Sequence, residues 1–250
     1  MGQESGRTPV VGVLACQKQR ANGSTYSRVN DILTEALVQG AGVVAVLVPA
    51  LPGMRGLLSG LDGLVLPGSG SFVHPSRYSG GSEVEGREYD HARDEVALEL
   101  LREAEDLPGL PVLASCRGMQ ELAVSRGGRL AGITATEVPH RMPAEDRWAP
   151  AHELDIRQGG FLATIARDGV AVNSAHTDRV LDAGEDVFVE ATAPDGVIEA
   201  VSVGWPERFV VGIQWHFERR TEESPVDGVI LAEFGRRCRE RVISREKGEL

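Results

Sequence analysis

The run Pro111-Val112-Leu113-Ala114-Ser115-Cys116-Arg117-Gly118-Met119-Gln120-Glu121-Leu122 constrains this chain more than any other. An apolar strand ends at a cysteine, a glycine follows two residues later, and an amphipathic helix begins. A strand-to-helix elbow of this kind lifts one side chain above the end of a parallel sheet. A thiol held there sits at a helix N-terminus, where N–H groups and the positive end of the dipole favour the thiolate. Cys116 is therefore the candidate nucleophile.

The rest of the chain fits a sheet that such an elbow could cap. Val10 to Ala15 reads as a buried first strand, and Ser27 to Val38 as a helix with Val29, Ile32, Leu33, Ala36 and Leu37 on one face, ended by Gly40. Val43 to Val48 is β-branched and nearly continuous, as a strand covered on both faces should be. Gly63 to Leu66 is a third strand, which delivers the turn Pro67-Gly68-Ser69. Ala97, Leu100, Leu101 and Ala104 line a helix before the strand that feeds the elbow. Strands alternating with helices predict a parallel sheet with right-handed crossovers.

Beyond Gly127-Gly128 the texture changes. Arg141 to Pro150 is polar and irregular, an excursion over the active-site face. Val187 to Ala191, Val197 to Val203 and Phe209 to Gln214 are short apolar runs separated by turn signals, the pattern of an antiparallel meander. A final helix carries Leu231, Phe234, Cys238 and Val242 on one side. The expected fold is a three-layer α/β domain: a mainly parallel central sheet, helices on both faces, and a small antiparallel addition. One domain spans residues 1–250, with residues 1–8 as a flexible N-terminus.

The last meander run leads into His216-Phe217-Glu218. An imidazole with a carboxylate two residues on supplies a base and a group to orient it, so Cys116, His216 and Glu218 make a candidate catalytic triad. His176 is a weaker candidate base, because it lacks this following carboxylate.

These motifs resemble the class I glutamine amidotransferases, whose elbow reads Cys-x-Gly-x-Gln and whose late motif reads His-Pro-Glu. The resemblance extends to the γ-glutamyl-γ-aminobutyrate hydrolase (peptidase C26) branch. The segments that carry it are Pro67-Gly68-Ser69, Pro75-Ser76-Arg77-Tyr78, Asp90-His91-Ala92-Arg93-Asp94, Cys116 to Glu121, Val172 to His176, and Pro194 to Ala200. It implies a flavodoxin-like fold and hydrolysis of a γ-glutamyl amide to glutamate and an amine through a thioester, in a setting of polyamine catabolism. It also implies an oxyanion hole built from Arg117 and from Gly68 or Ser69, with Gln120, Asn173, Ser174 and His176 around the substrate. Two positions depart from the pattern. Phe217 replaces the proline of His-Pro-Glu, and Asp178 stands where the branch carries glutamine. An Asp178 facing the leaving group would favour a cationic, polyamine-like amine. Two other readings stay open: a glutaminase subunit that passes ammonia to a separate synthase, and a non-catalytic binding protein on the same scaffold.

Composition narrows the partners. A formal net charge of −11 argues against a polyanion-binding surface, so nucleic acid is not expected. No apolar stretch approaches a bilayer span and the N-terminus lacks an apolar signal region, which predicts a soluble, cytoplasmic protein. Cys16, Cys116 and Cys238 are too few and too widely spaced for a disulfide framework. Cys16 and Cys238 read as structural. His74, His91, His140 and His152 show no metal-ligand spacing, so neither metal nor cofactor is expected. Asp90, Arg93 and Asp94 read as the capped, charged first turn of a helix. The expected partner is a small γ-glutamyl substrate, with a homodimer left open.

Overall fold

The computed structural model describes residues 6–54, 56–79, 81–133, 138–219 and 224–250. The chain begins with β1 (Val10–Leu14), β2 (Cys16–Gln19), β3 (Thr25–Arg28), α1 (Asp31–Ala36), β4 (Val44–Val48), β5 (Gly63–Leu66) and α2 (His91–Glu105). It continues with β6 (Val112–Ser115), α3 (Arg117–Ser125), β7 (Arg129–Gly132), β8 (Pro150–Glu153), β9 (Asp155–Ile156) and α4 (Leu162–Ile165). Then follow β10 (Ala171–Asn173), β11 (Asp178–Asp182), β12 (Phe188–Thr192), β13 (Ile198–Ser202), β14 (Val210–Ile213) and α5 (Pro225–Glu246).

Eight strands form the central sheet in the order β4-β1-β5-β6-β14-β13-β12-β9. The first five are mutually parallel, and β13, β12 and β9 add on antiparallel. Small antiparallel pairs, β2 with β3, β7 with β11 and β8 with β10, lie outside it. The three-layer α/β expectation therefore holds.

Strand alternation divides the interior into two cores. Leu64, Leu66, Val112 and Ala114 point to the side filled by Ala97, Leu100 and Leu101 of α2 and Met119 and Leu122 of α3. Val65, Leu113, Val211 and Ile213 point to the other side, against Leu33 of α1 and Ile230, Leu231, Phe234 and Cys238 of α5. Side chains two apart share a face, so a fully apolar strand feeds both cores at once.

Three local expectations differ. Thr25–Arg28 is a strand paired with Cys16–Gln19, so the helix read from Ser27 begins only at Asp31. The apolar positions Leu33 and Leu37 keep their buried face, but the polar residues before them continue a hairpin. That helix ends in a wide turn over Leu37–Ala41, and the left-handed residue is Gly42 (φ 68°), not Gly40. β4 is the edge of the sheet, with Val44 46 % and Leu47 51 % exposed, not a strand covered on both faces. β-branched content marks a strand without revealing its place in the order. At the N-terminus residues 1–5 lie outside the described residues, while Arg7 forks onto both carboxylate oxygens of Asp62. Among the described residues no helix is long and apolar enough to cross a membrane.

Candidate active site

The parallel register places the two key motifs side by side. Ile213 of β14 pairs with Ser115 of β6, and the Cys116 N–H donates to the Ile213 carbonyl at 2.7 Å. Cys116 and His216 thus emerge at the carboxyl ends of adjacent strands, where ligands of open α/β sheets bind. Cys116 itself has φ 50° and ψ −108°, a backbone state that non-glycine residues adopt rarely and mainly where function holds them. Two glycines make the turn feasible. A Cβ on Gly118 would lie 1.9 Å from the Leu66 carbonyl oxygen, so only glycine lets α3 dock on β5. A Cβ on Gly68 would lie 2.5 Å from His216 Cε1 and 3.3 Å from Cys116 Cβ. Gly68 is therefore required by close approach to both.

His216 Nδ1 donates to Glu218 Oε1 at 2.8 Å, with Glu218 on a tight helical turn, Phe217–Arg219. Phe217 is buried in the α5-side core, so the residue that replaces the family proline anchors the turn instead. Trp148 meets the His216 ring edge-on, 5.0 Å between centroids, and Arg219 stacks over Trp148 at 4.3 Å. Burial pulls the imidazole down, but Cys116 and Glu218 outweigh it and leave His216 raised to about 10. Burial likewise pushes the Glu218 carboxyl up, and His216 overrides this to hold it below the usual carboxylate range.

A cleft of about 350 Å³ opens above this pair, lined by Gly68, Ser69, Trp148, His216 and Glu218 and by the cations Lys18, Arg28, Arg147 and Arg219. Arg147 and Trp148 belong to the irregular excursion read from the sequence. Cys116, 6 % exposed, lies against Gly68 beneath it. As the first residue of α3, Arg117 has an N–H that no intrahelical carbonyl can accept. Cys16 also lines the cleft: its Sγ donates to Ser69 Oγ at 3.2 Å and accepts from Arg93 Nη1 at 3.0 Å. It reaches the cleft, buried and held by these two partners. Cys238 is fully buried, and burial pushes its thiol up.

The expected substrate contacts all have partners within the protein. None of Gln120, Asn173, Ser174, His176 or Asp178 is among the described residues that line the cleft, and all five are buried. Gln120 donates to the Asp178 carbonyl at 3.0 Å and to Gln214 Oε1 at 3.2 Å. Asn173 holds the His216 backbone through both its amide atoms. Ser174 donates to the His140 carbonyl at 2.9 Å. His176 faces Glu199 at 3.5 Å. Asp178 is buried, and both its oxygens accept from Arg87 Nη1 at 2.8 Å. These residues hold the walls of the site together. For Asn173, Ser174, His176 and Asp178, alternation on short strands and turns gave no sign of which side they face.

A buried ion network under the elbow was missed. Arg93 donates to both oxygens of Glu121 at 2.9 and 3.0 Å and also to the Pro67 carbonyl. Arg117 donates to Asp94 Oδ1 at 2.6 Å and lies 2.8 Å from Glu121. Asp94 also accepts from the His74 N–H at 2.9 Å. Asp90 does cap α2, accepting from the Arg93 N–H at 3.0 Å, but Arg93 and Asp94 reach inward and brace α3 against the Gly68 turn. The available signal was their helical spacing: positions three and four after the cap turn to the same inner face.

The fold is that of the glutamine amidotransferases. A glutamine amidotransferase from Thermotoga maritima superposes with a TM-score of 0.56 at 14% identity, covering 96% of this chain and 98% of that one. A putative GMP synthase component from Thermoplasma acidophilum reaches a TM-score of 0.65 at 16% identity, covering 98% and 99%. Within that class, residues 9–218 match the Peptidase C26 model, and the chain belongs to the Peptidase C26 family. The γ-glutamyl-γ-aminobutyrate hydrolase PuuD of Escherichia coli strain K12 is 31% identical over 96% of this chain and 97% of its own.

Proposed function

We propose that the protein hydrolyses a γ-glutamyl amide to glutamate and an amine through a thioester on Cys116. The observation that carries this reading is the wedging of Gly68 between Cys116 and His216, with His216 held on Glu218 at 2.8 Å. In the first step Cys116 Sγ bonds to the amide carbonyl carbon. The C–N bond then breaks, and His216 protonates the departing amine. In the second step His216 takes a proton from water, which attacks the thioester and releases glutamate. The N–H groups of Arg117 and of Gly68 or Ser69 serve the oxyanion in both steps.

The cleft also bears on the amine. With Arg28, Arg147 and Arg219 on its walls, and Lys18 paired to Glu88, it suits an amine portion ending in a carboxylate better than a polyamine. This reverses the preference expected from Asp178 and agrees with the name of the Escherichia coli relative. The test is a panel of γ-glutamyl amides alongside free glutamine, scored for glutamate release. γ-Glutamyl-γ-aminobutyrate should exceed γ-glutamyl-putrescine by about ten- to a hundredfold in kcat/KM, the size of a like-charge penalty in a partly desolvated site. Preference for glutamine would favour the ammonia-donating reading, and preference for the polyamine amide would overturn the assignment of the cleft cations.

A further inference from the structure

A second convergence of titratable groups lies away from the nucleophile, around Glu199 of β13. Glu199 Oε1 is 3.2 Å from His140 Nδ1, 3.4 Å from His152 Nε2 and 3.5 Å from His176 Nε2. All four side chains are buried. None of these approaches has hydrogen-bond geometry: the three nitrogens and both Glu199 oxygens are buried atoms without a hydrogen-bond partner among the described residues. Isolated orphans of this kind are destabilising, and five aimed at one point call for a shared partner.

The outer nitrogens decide what that partner is. His176 Nδ1 is 2.9 Å from the Asp178 carbonyl, His152 Nδ1 is 3.2 Å from the Glu153 carbonyl, and His140 Nε2 is 3.1 Å from Asp195 Oδ2. Carbonyls and carboxylates only accept, so each outer nitrogen carries its ring's proton. In a neutral imidazole the inner nitrogen is then a bare lone pair. While the rings are neutral, three lone pairs and a carboxylate therefore face one another with no donor between them.

We propose that His140, His176 and Glu199 form a three-ligand site for a divalent transition-metal ion, with Zn²⁺ the best match and His152 packed beside Glu199. Imidazole and carboxylate ligands suit Zn²⁺, and bonds of about 2.0–2.1 Å imply ligand-to-ligand edges of about 3.3 Å, close to the distances from Glu199 to His140 and His176, and the three ligand atoms all lie within 4.8 Å of one another. The outer hydrogen bonds to carbonyls and a carboxylate are those that orient metal-bound histidines. Three protein ligands leave the fourth tetrahedral position to a water held in the buried pocket. It would tie β13 and the His140 segment to the segment that carries Ala175 into the cleft and Asn173 onto His216. The ligands come from separate elements, which is why their sequence spacing shows nothing.

The test uses the full chain stripped with a chelator and reloaded with Zn²⁺ or Co²⁺ alone. About one tightly held equivalent is expected by elemental analysis, with a raised Tm and the intense visible bands of tetrahedral Co²⁺. Asp195→Asn should weaken Zn²⁺ affinity about 10- to 100-fold, and Glu199→Gln should lose the equivalent. The exposed trio His74, Glu83 and His91 is the rival source of binding, so a His74→Ala/His91→Ala variant should keep the metal. The proposal is overturned if stripped wild type takes up no tight equivalent. It is equally overturned if the metal is lost with His74 and His91 but kept in Glu199→Gln. Should Glu199→Gln fail to fold, the wild-type Co²⁺ spectrum decides, because weak octahedral bands also overturn it.

Discussion

Asn173 and His216 are joined by two hydrogen bonds: Asn173 Nδ2 donates to the His216 carbonyl at 2.9 Å, and the His216 N–H donates to Asn173 Oδ1 at 3.0 Å. A side-chain amide here does what a neighbouring strand would do, fixing the backbone of the candidate base just beyond β14. Asn173→Ala leaves both groups without a partner and frees the imidazole to drift. A misplacement near 1 Å can cost about 10²-fold in rate. The expected result is a loss of that order in kcat with KM little changed. A rise in KM alone would make Asn173 a substrate contact instead.

Cys116→Ala should abolish turnover while circular dichroism stays native. It should also lower the pKa of His216 from about 10, since Cys116 is the strongest influence raising it against burial. Nuclear magnetic resonance of the imidazole across a pH series measures this directly. An unchanged titration would mean that the thiol and the ring do not interact.

Gly68→Ala should reduce kcat by at least about 10²-fold without unfolding the protein. The added methyl would stand 2.5 Å from His216 Cε1, so either the ring or the turn must move. Near-normal kinetics would show that the turn has room to spare.

Arg93→Met strands the Glu121 carboxylate in the interior. Breaking one partner of a buried pair typically costs about 3–5 kcal/mol, and urea unfolding should register a loss of that size. A change below about 1 kcal/mol would mean that Arg117 alone satisfies Glu121.

Asp227 gives a pH signature. Burial pushes its carboxyl up to about 7, against the Trp215 indole N–H that donates to it at 2.8 Å. The folded protein therefore binds a proton that the unfolded chain releases near its ordinary value of about 3.9. Stability from this group is full below that value and declines as pH rises towards about 7. Asp227→Asn should flatten the decline in unfolding free energy across that window. A parallel curve for the variant would assign the slope to another group.

The elements that carry a period were legible in the sequence. Val112 to Ser115, the α3 face and the α5 stripe were each marked by apolar residues at strand or helix spacing. So was the pairing of an elbow cysteine with a following His-x-Glu, because each motif is local in the chain. What stayed hidden depends on the third dimension. Asp178 and Gln120 are polar in either setting, and only the fold shows that they bond to Arg87 and Gln214. Val44 and Leu47 carry strand propensity without disclosing that β4 is an edge. Arg93 reads as a surface charge until Glu121, on another helix, is set beside it.

The position of β14 has a consequence for how the molecule is made. Val112 to Ser115 find their second neighbour only in Val210 to Ile213, so the sheet around the elbow stays open until those residues, about a hundred positions later, have been made. Until then β6 presents a bare row of N–H and C=O groups, the kind of edge that recruits foreign strands. A chain broken off before residue 210 would lack His216 and Glu218 and would keep that edge exposed. Closure of the sheet beside the elbow therefore waits for β14, with pairing this distant in sequence setting the pace.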